Sequence, residues 1–232
     1  RLQEEVISIN SRDNSYEVIT TKTTCHTRYI VLATGFYDSP VLMNIPGEDL
    51  PKVTHYYKEP HFYAMQKVVV VGANNSAVDA ALETFRKGAE VTMVIRDGEI
   101  GRRVKYWVKP DIENRIAEGS VKAFFNATLA AIHEHRVDIQ TPEGIVTIPN
   151  DYVVAATGYQ PQFDFLRAAG IHLSDDEKLR PDYDPETMET NQKNIYLAGV
   201  VCGGMDTHSW FIENSRVHAT MIMKDILRKE GQ

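Results

Sequence analysis

Cysteine is scarce in this sequence: its 232 residues include only Cys25 and Cys202, far apart and in no C-x-x-C pair. That excludes a disulfide framework and an adjacent dithiol. Positive charge is also short, with 25 Lys and Arg against 32 Asp and Glu, a net charge of −7. No basic footprint for nucleic acid exists, so any arginine cluster has a local meaning. No apolar run approaches the roughly 20 residues of a membrane helix, and no signal-peptide pattern opens the chain. The expected setting is cytoplasmic, with no membrane partner. No Ser/His/Asp nucleophile pattern is present. His133-Glu134-His135 would place two imidazoles on one face of a strand, but no third ligand accompanies them, and no metal site is expected.

What is present is a chain with 43% apolar residues, enough to bury a real core in one large domain or two small ones. It starts at Arg1 in a strand-like segment without an initiator methionine, which suggests a piece of a longer protein. Val6-Ile7-Ser8-Ile9, Tyr16-Glu17-Val18-Ile19-Thr20 and Tyr29-Ile30-Val31-Leu32 read as an antiparallel meander leading into Ala33-Thr34-Gly35. A segment rich in proline and glycine, including Ile45-Pro46-Gly47, marks a domain crossover.

Val68-Val69-Val70-Val71 is a continuous apolar run, as expected of a buried parallel strand. Val78, Ala81, Leu82 and Phe85 then recur at helical spacing, and Gly88 stands where a C-terminal cap is expected. Residues 90–95 form a second strand, so the strand, turn, helix and strand context of a dinucleotide fingerprint is complete. Pro110 opens a further helix with Ile112, Ile116 and Ala117 inward, stopped at Gly119. Strands are expected at 121–125, 132–141 and 145–148, and residues 211–227 read as one long amphipathic helix. The chain also repeats itself: an apolar strand ends in Ala33-Thr34-Gly35 and again in Ala156-Thr157-Gly158, with the dinucleotide unit between. One nucleotide domain inserted in another is implied, the boundaries being 1–46, 47–158 and 159–232.

The fingerprint G-x-G-x-x-G/A reads here as Gly72-Ala73-Asn74-Asn75-Ser76-Ala77. Gly72 and Ala77 fill the first and third positions, and Asn74 stands where the second glycine usually lets backbone approach a pyrophosphate. Asparagine tolerates unusual backbone angles and its amide donates hydrogen bonds. The helix N-terminus behind it is an anion site. The next strand runs out at Val94-Ile95-Arg96, with Arg102 and Arg103 following. An acidic residue near there selects the 2′-hydroxyl of NAD, whereas arginine accommodates the 2′-phosphate of NADP, so NADPH is favoured. Asp97 keeps NAD as the alternative.

Taken together, these stretches, with Gly88-Ala89-Glu90-Val91-Thr92, Tyr196-Leu197-Ala198-Gly199, Gly203-Gly204 and Phe211-Ile212-Glu213-Asn214, resemble the two-domain flavoprotein reductases of the pyridine nucleotide-disulfide oxidoreductase superfamily. Within it the sequence is most similar to the thioredoxin-reductase-like bacillithiol-disulfide reductases (the YpdA-like family). The resemblance implies an α/β fold of two Rossmann-like FAD/NAD(P)-binding domains, three-layer ββα in architecture, the FAD domain incomplete. It implies NADPH on Gly72, Asn74, Asn75, Ser76, Ala77, Arg96, Arg102, Arg103, Thr157 and Gly158. It implies FAD on Thr34, Gly35, Gly199, Val200, Phe211 and Ile212, with the Phe211 helix pointing its N-terminus at the flavin. The activity implied is reduction of a small-molecule disulfide by a homo-oligomer, and the cysteine proposed for catalysis in that family would lie upstream of Arg1.

Departures accompany the likeness. Many relatives have Gly-Asp where this chain has Gly199-Val200, and the place of a thioredoxin-reductase dithiol reads His55-Tyr56-Tyr57-Lys58. Without that dithiol, thiol–disulfide exchange by that route is excluded, and buried Cys202 is expected to be inert packing. Tyr56, Tyr57, Phe62 and Tyr63 either line access to a flavin or pack a linker. The rival readings are a flavin-dependent monooxygenase and a nucleotide-binding fragment inactive by itself.

Overall fold

The tight turn at Asp13-Asn14 joins β1 (Val6–Arg12) to β2 (Ser15–Thr20), and β3 (Thr24–Thr27) completes an antiparallel meander. The sequence placed the third strand at Tyr29 to Leu32. In this structure, a computed structural model that describes residues 1–231, Ile30–Leu32 is instead β4, a parallel strand outside the meander. The true third strand, Thr-Cys-His-Thr, is polar and part-exposed, so it carries no apolar signal to read.

Residues Val41–Gly158 form one compact unit, and Arg1–Pro40 with the chain from residue 159 onward forms another. The inserted unit is built on a parallel sheet in the order β5 (Val53–Thr54), β12 (Tyr152–Ala155), β6 (Lys67–Val71), β7 (Glu90–Val94), β8 (Lys122–Phe124). Successive β6 side chains face opposite layers. Val68 and Val70 pack with α1 (Asn75–Arg86) and α2 (Lys109–Ala117), whereas Val69 packs with an antiparallel sheet on the other face. That sheet is β9 (Thr128–Ile132), β10 (Arg136–Thr141) and β11 (Gly144–Pro149). Both faces are therefore dry, which is why β6 reads as an unbroken valine run. Each valine so buried contributes about 1.5–3 kcal/mol relative to exposure.

Two expectations are corrected in this unit. Residues 132–141 are not one strand but the end of β9, a turn and β10, because His133 N–H donates to the Arg136 carbonyl at 2.9 Å and closes a hairpin. Ala117 does not face inward; it is exposed at the end of α2, where Gly119 at φ +80° turns the chain away.

The flanking unit adds α3 (Phe163–Ala168), β13 (Ile195–Leu197), α4 (Ile212–Ser215) and α5 (Val217–Lys229). β13 pairs in parallel with β4, Leu197 beside Leu32. Its core joins Tyr16, Leu32, Leu166, Ile195, Tyr196, Leu197 and Ile222. The fully buried Tyr196 donates its hydroxyl to Asp225 at 2.8 Å and receives Lys229 at 2.9 Å, pinning α5 behind β13. Burial works against the Asp225 carboxylate, but hydrogen bonds from Lys229 and Tyr196 outweigh it and hold its pKa below the usual carboxylate range. The long helix expected over 211–227 is divided at Arg216 into α4 and α5. Among the described residues no helix is long and apolar enough to cross a membrane.

Candidate nucleotide sites

Between β6 and α1 the chain turns within Gly72, Ala73 and Asn74, and Gly72 does so at φ +124° while donating its N–H to the Val94 carbonyl at 3.0 Å. A Cβ here would lie 2.6 Å from the Ala156 carbonyl oxygen and 3.2 Å from the Ala77 methyl. Only glycine lets the β12 crossover approach so closely. Ala77, 1% exposed, is small for the same reason. Asn74 is the N-cap, at φ −95° and ψ −174°, ordinary extended backbone. The expectation that asparagine serves here by tolerating unusual angles is therefore corrected: Gly72 alone carries the strained angle. Asn74 makes no side-chain cap, and the first turn of α1 holds no acidic residue. Its amide groups are thus left for an anion, with the helix dipole favouring one. Ser76 is exposed beside them.

Arg96 follows the fully buried Ile95 and is itself exposed. Arg96 and Arg103 have no carboxylate partner among the described residues, whereas Arg102 Nε donates to Glu99 at 2.9 Å. The three arginines therefore divide into two available cations and one already paired. Residues 97–105 fold back over the turn: Gly101 N–H reaches the Ala73 carbonyl at 2.9 Å, and Ile100 and Val104 are buried in the helix-side core. Asn75 is half-buried and bonds to this loop rather than standing open. At the other crossover, Thr157 donates its hydroxyl to the Val41 carbonyl at 2.6 Å, and Gly158 at φ +95° has open space where a Cβ would be.

In the flanking unit β4 and β13 end side by side, with Ala198 N–H on the Leu32 carbonyl at 2.9 Å. Gly35 (φ +69°) and Gly199 (φ +83°) turn away from these ends, and no atom lies within 4 Å of a Cβ built at either. That leaves a bare backbone cradle, with Thr34 exposed and Val200 half-buried beside it. Gly199 N–H donates to His218 Nδ1 at 3.1 Å, which places the imidazole proton on Nε2. Burial lowers the His218 pKa, so the ring is neutral. Cys202 is 2% exposed, and burial pushes its thiol up to about 12. A thiol held protonated is no nucleophile. Phe211 and Ile212 are 56% and 84% exposed at the start of α4, a single turn of helix whose dipole is far smaller than that of the long helix expected there.

Other conspicuous residues are structural. Tyr63 is buried, stacked on Tyr57 and edge-on to Tyr152, and Tyr57 and Tyr63 pack into the α1 core, whereas Phe62 is 71% exposed. His133 and His135 sit in the β9–β10 turn; His133 pairs with Asp138 at 2.8 Å and His135 is exposed. No group of metal-ligating side chains occurs among the described residues.

Comparison with known proteins decides the lineage. A family model described as pyridine nucleotide-disulphide oxidoreductase matches residues 1–199. The chain belongs to the pyridine nucleotide-disulphide oxidoreductase family. It is an oxidoreductase with the fold of the flavoprotein disulfide reductases. The chain is 42% identical over 222 residues to the bacilliredoxin reductase Bdr of Bacillus subtilis, covering 95% of this chain and 68% of that protein. Two solved structures are similar throughout. The bacillithiol disulfide reductase Bdr (YpdA) from Bacillus cereus matches with TM-score 0.94 and 40% identity over 97% of this chain and 71% of that one. Its namesake from Staphylococcus aureus gives 0.93 and 39% over 97% and 70%. Within this family, the elements that sequence reasoning missed are the bonds from Asn75 to the arginine loop and the buried His218 behind Gly199. A carboxamide in a first helical turn and a histidine on an apolar helix face were the only signals of either.

Proposed function

We propose that this chain is the NADPH-binding unit and part of the FAD-binding unit of a flavoprotein reductase for a low-molecular-weight disulfide of the bacillithiol-disulfide type. The observation that carries the NADPH assignment is the exposed, unpaired Arg96 and Arg103 at the edge of the glycine turn. Two guanidinium groups without carboxylate partners suit a dianionic phosphate and nothing in a 2′-hydroxyl. The disulfide class rests on the resemblance to the bacilliredoxin and bacillithiol disulfide reductases.

The residues present fit both groups. Gly72 brings backbone close, the uncapped first turn of α1 offers amide donors to a pyrophosphate, and Arg96 and Arg103 take the 2′-phosphate. Gly35 and Gly199 offer bare backbone to a flavin, and His218 fixes the Gly199 amide. A bound nicotinamide would supply hydride chemistry and a bound flavin two-electron redox chemistry for reducing a disulfide. Cys202 is buried and is not open to exchange with that disulfide, while Cys25 lies on β3 with its sulfur 3.3 Å from the Arg1 guanidinium.

The test is steady-state NADPH consumption by the flavin-loaded enzyme with bacillithiol disulfide, with oxygen uptake followed in parallel. One NADPH per disulfide and no oxygenated product is expected. Oxygen consumption matched by an oxygenated product would instead identify a monooxygenase.

A further inference from the structure

Asn75 occupies the first helical position of α1, where its side chain has no helical partner to satisfy. Its amide oxygen accepts the Lys105 backbone N–H at 2.9 Å, and its amide nitrogen donates to the Arg103 backbone carbonyl at 3.2 Å. A carboxamide is the one short side chain that both donates and accepts in this way; aspartate has no hydrogen to give the carbonyl, and serine reaches one group at most. One helical turn on, Asp79 holds the Lys105 ammonium at 2.9 Å, on the same face of α1 because it lies at i+4. On the near side Gly101 donates to the Ala73 carbonyl, and a Cβ at Gly101 would collide with the Asn74 side-chain oxygen and lie 2.9 Å from that carbonyl. The loop is thus tied down at Gly101, Arg103 and Lys105, with Ile100 buried just before the first tie and Val104 buried between the last two.

We infer that Asn75 is a positioning residue for recognition of the 2′-phosphate: it holds the backbone of Arg103 against the helix N-terminus, so that the guanidinium starts from a fixed point. The inference rests on the reading of Arg96 and Arg103 as the 2′-phosphate site. The physical ground is that an arginine anchored through its own carbonyl has only side-chain freedom to lose on binding, whereas one on a loose loop loses backbone freedom as well. Asn75 acts through Arg103, so its effect is confined to the nucleotide that carries the extra phosphate.

Calorimetric titration of the chain with NADPH and with NADH tests this in four proteins: the parent, Asn75→Ala, Arg103→Ala and the double variant. Asn75→Ala is expected to lower the NADPH-over-NADH preference about ten-fold, the scale of one charge-assisted contact. In the Arg103→Ala background the same substitution is expected to change the preference no further. Asn75→Ser, a small polar residue in the same first turn, gives a second variant should alanine unfold the unit, and the same loss is expected. A parent without NADPH preference overturns the 2′-phosphate reading and this inference with it. A preference that survives in Asn75→Ala, or an equal loss for both nucleotides, overturns the inference alone.

Discussion

Replacing Arg96 and Arg103 together with alanine is expected to erase the preference for NADPH over NADH, a loss on the order of 100-fold in relative affinity. Each guanidinium would supply hydrogen bonds to a charged phosphate, worth about 1.5–3 kcal/mol net per contact, and two such contacts lie at the lower end of that range because the site is exposed. Affinity for NADH should barely move, since its 2′-hydroxyl asks for no cation. Replacing Arg102 is expected to matter less, because its guanidinium is already engaged by Glu99 at 2.9 Å in an exposed pair. Competition binding against both nucleotides reads the result directly. An unchanged ratio in the double variant would remove these arginines from the site, whatever nucleotide the chain binds.

Gly72→Ala should have the largest structural effect. At φ +124° an L side chain is strained wherever it points, and here the new Cβ would sit 2.6 Å from the Ala156 carbonyl. Backbone strain of about 1–3 kcal/mol and overpacking of similar size act together. Unfolding of the inserted unit is expected to be easier by about 3 kcal/mol, with NADPH binding lost because the turn and the start of α1 must shift. Gly119→Ala is the matched control: φ is +80°, but no atom lies within 4 Å of the added carbon, so strain alone remains, about 1–2 kcal/mol. Urea unfolding of the two variants separates the contributions. Equal losses would show that the contact with Ala156 relaxes freely and that the turn tolerates a side chain.

The parts of the fold that were legible are those where burial leaves a pattern. β6 is dry on both faces, so it reads as four consecutive valines, and α1 shows its apolar stripe because its outer face meets solvent. Gly72 and Ala77 could be assigned roles because their positions in the turn depend only on local spacing. Where local pattern was weak, reading failed: the β9–β10 turn contains neither glycine nor proline, and β3 has no apolar residue beyond Cys25. The break at Arg216 was hidden because its backbone remains in the helical region, φ −59° and ψ −22°. The role of Asn75 was the least legible of all. It depends on a loop that returns 28 residues later, and no spacing rule connects an asparagine in a helix to a distant backbone carbonyl and amide.

What makes the nucleotide assignment coherent is the agreement of independent features at the C-terminal ends of the adjacent inner strands β6 and β7. The glycine turn, the uncapped helix start, the unpaired arginines and the clamp that holds their loop all belong to the inserted unit. None requires the flanking unit, so the site can be tested in this chain directly. A crystal structure of the chain with NADPH is the most direct measurement. The expected result is the pyrophosphate on the first-turn amides of Asn75, Ser76 and Ala77, with the 2′-phosphate within hydrogen-bonding distance of Arg96 and Arg103. A nucleotide bound with its 2′-phosphate away from both arginines, or with its pyrophosphate away from α1, would contradict the account.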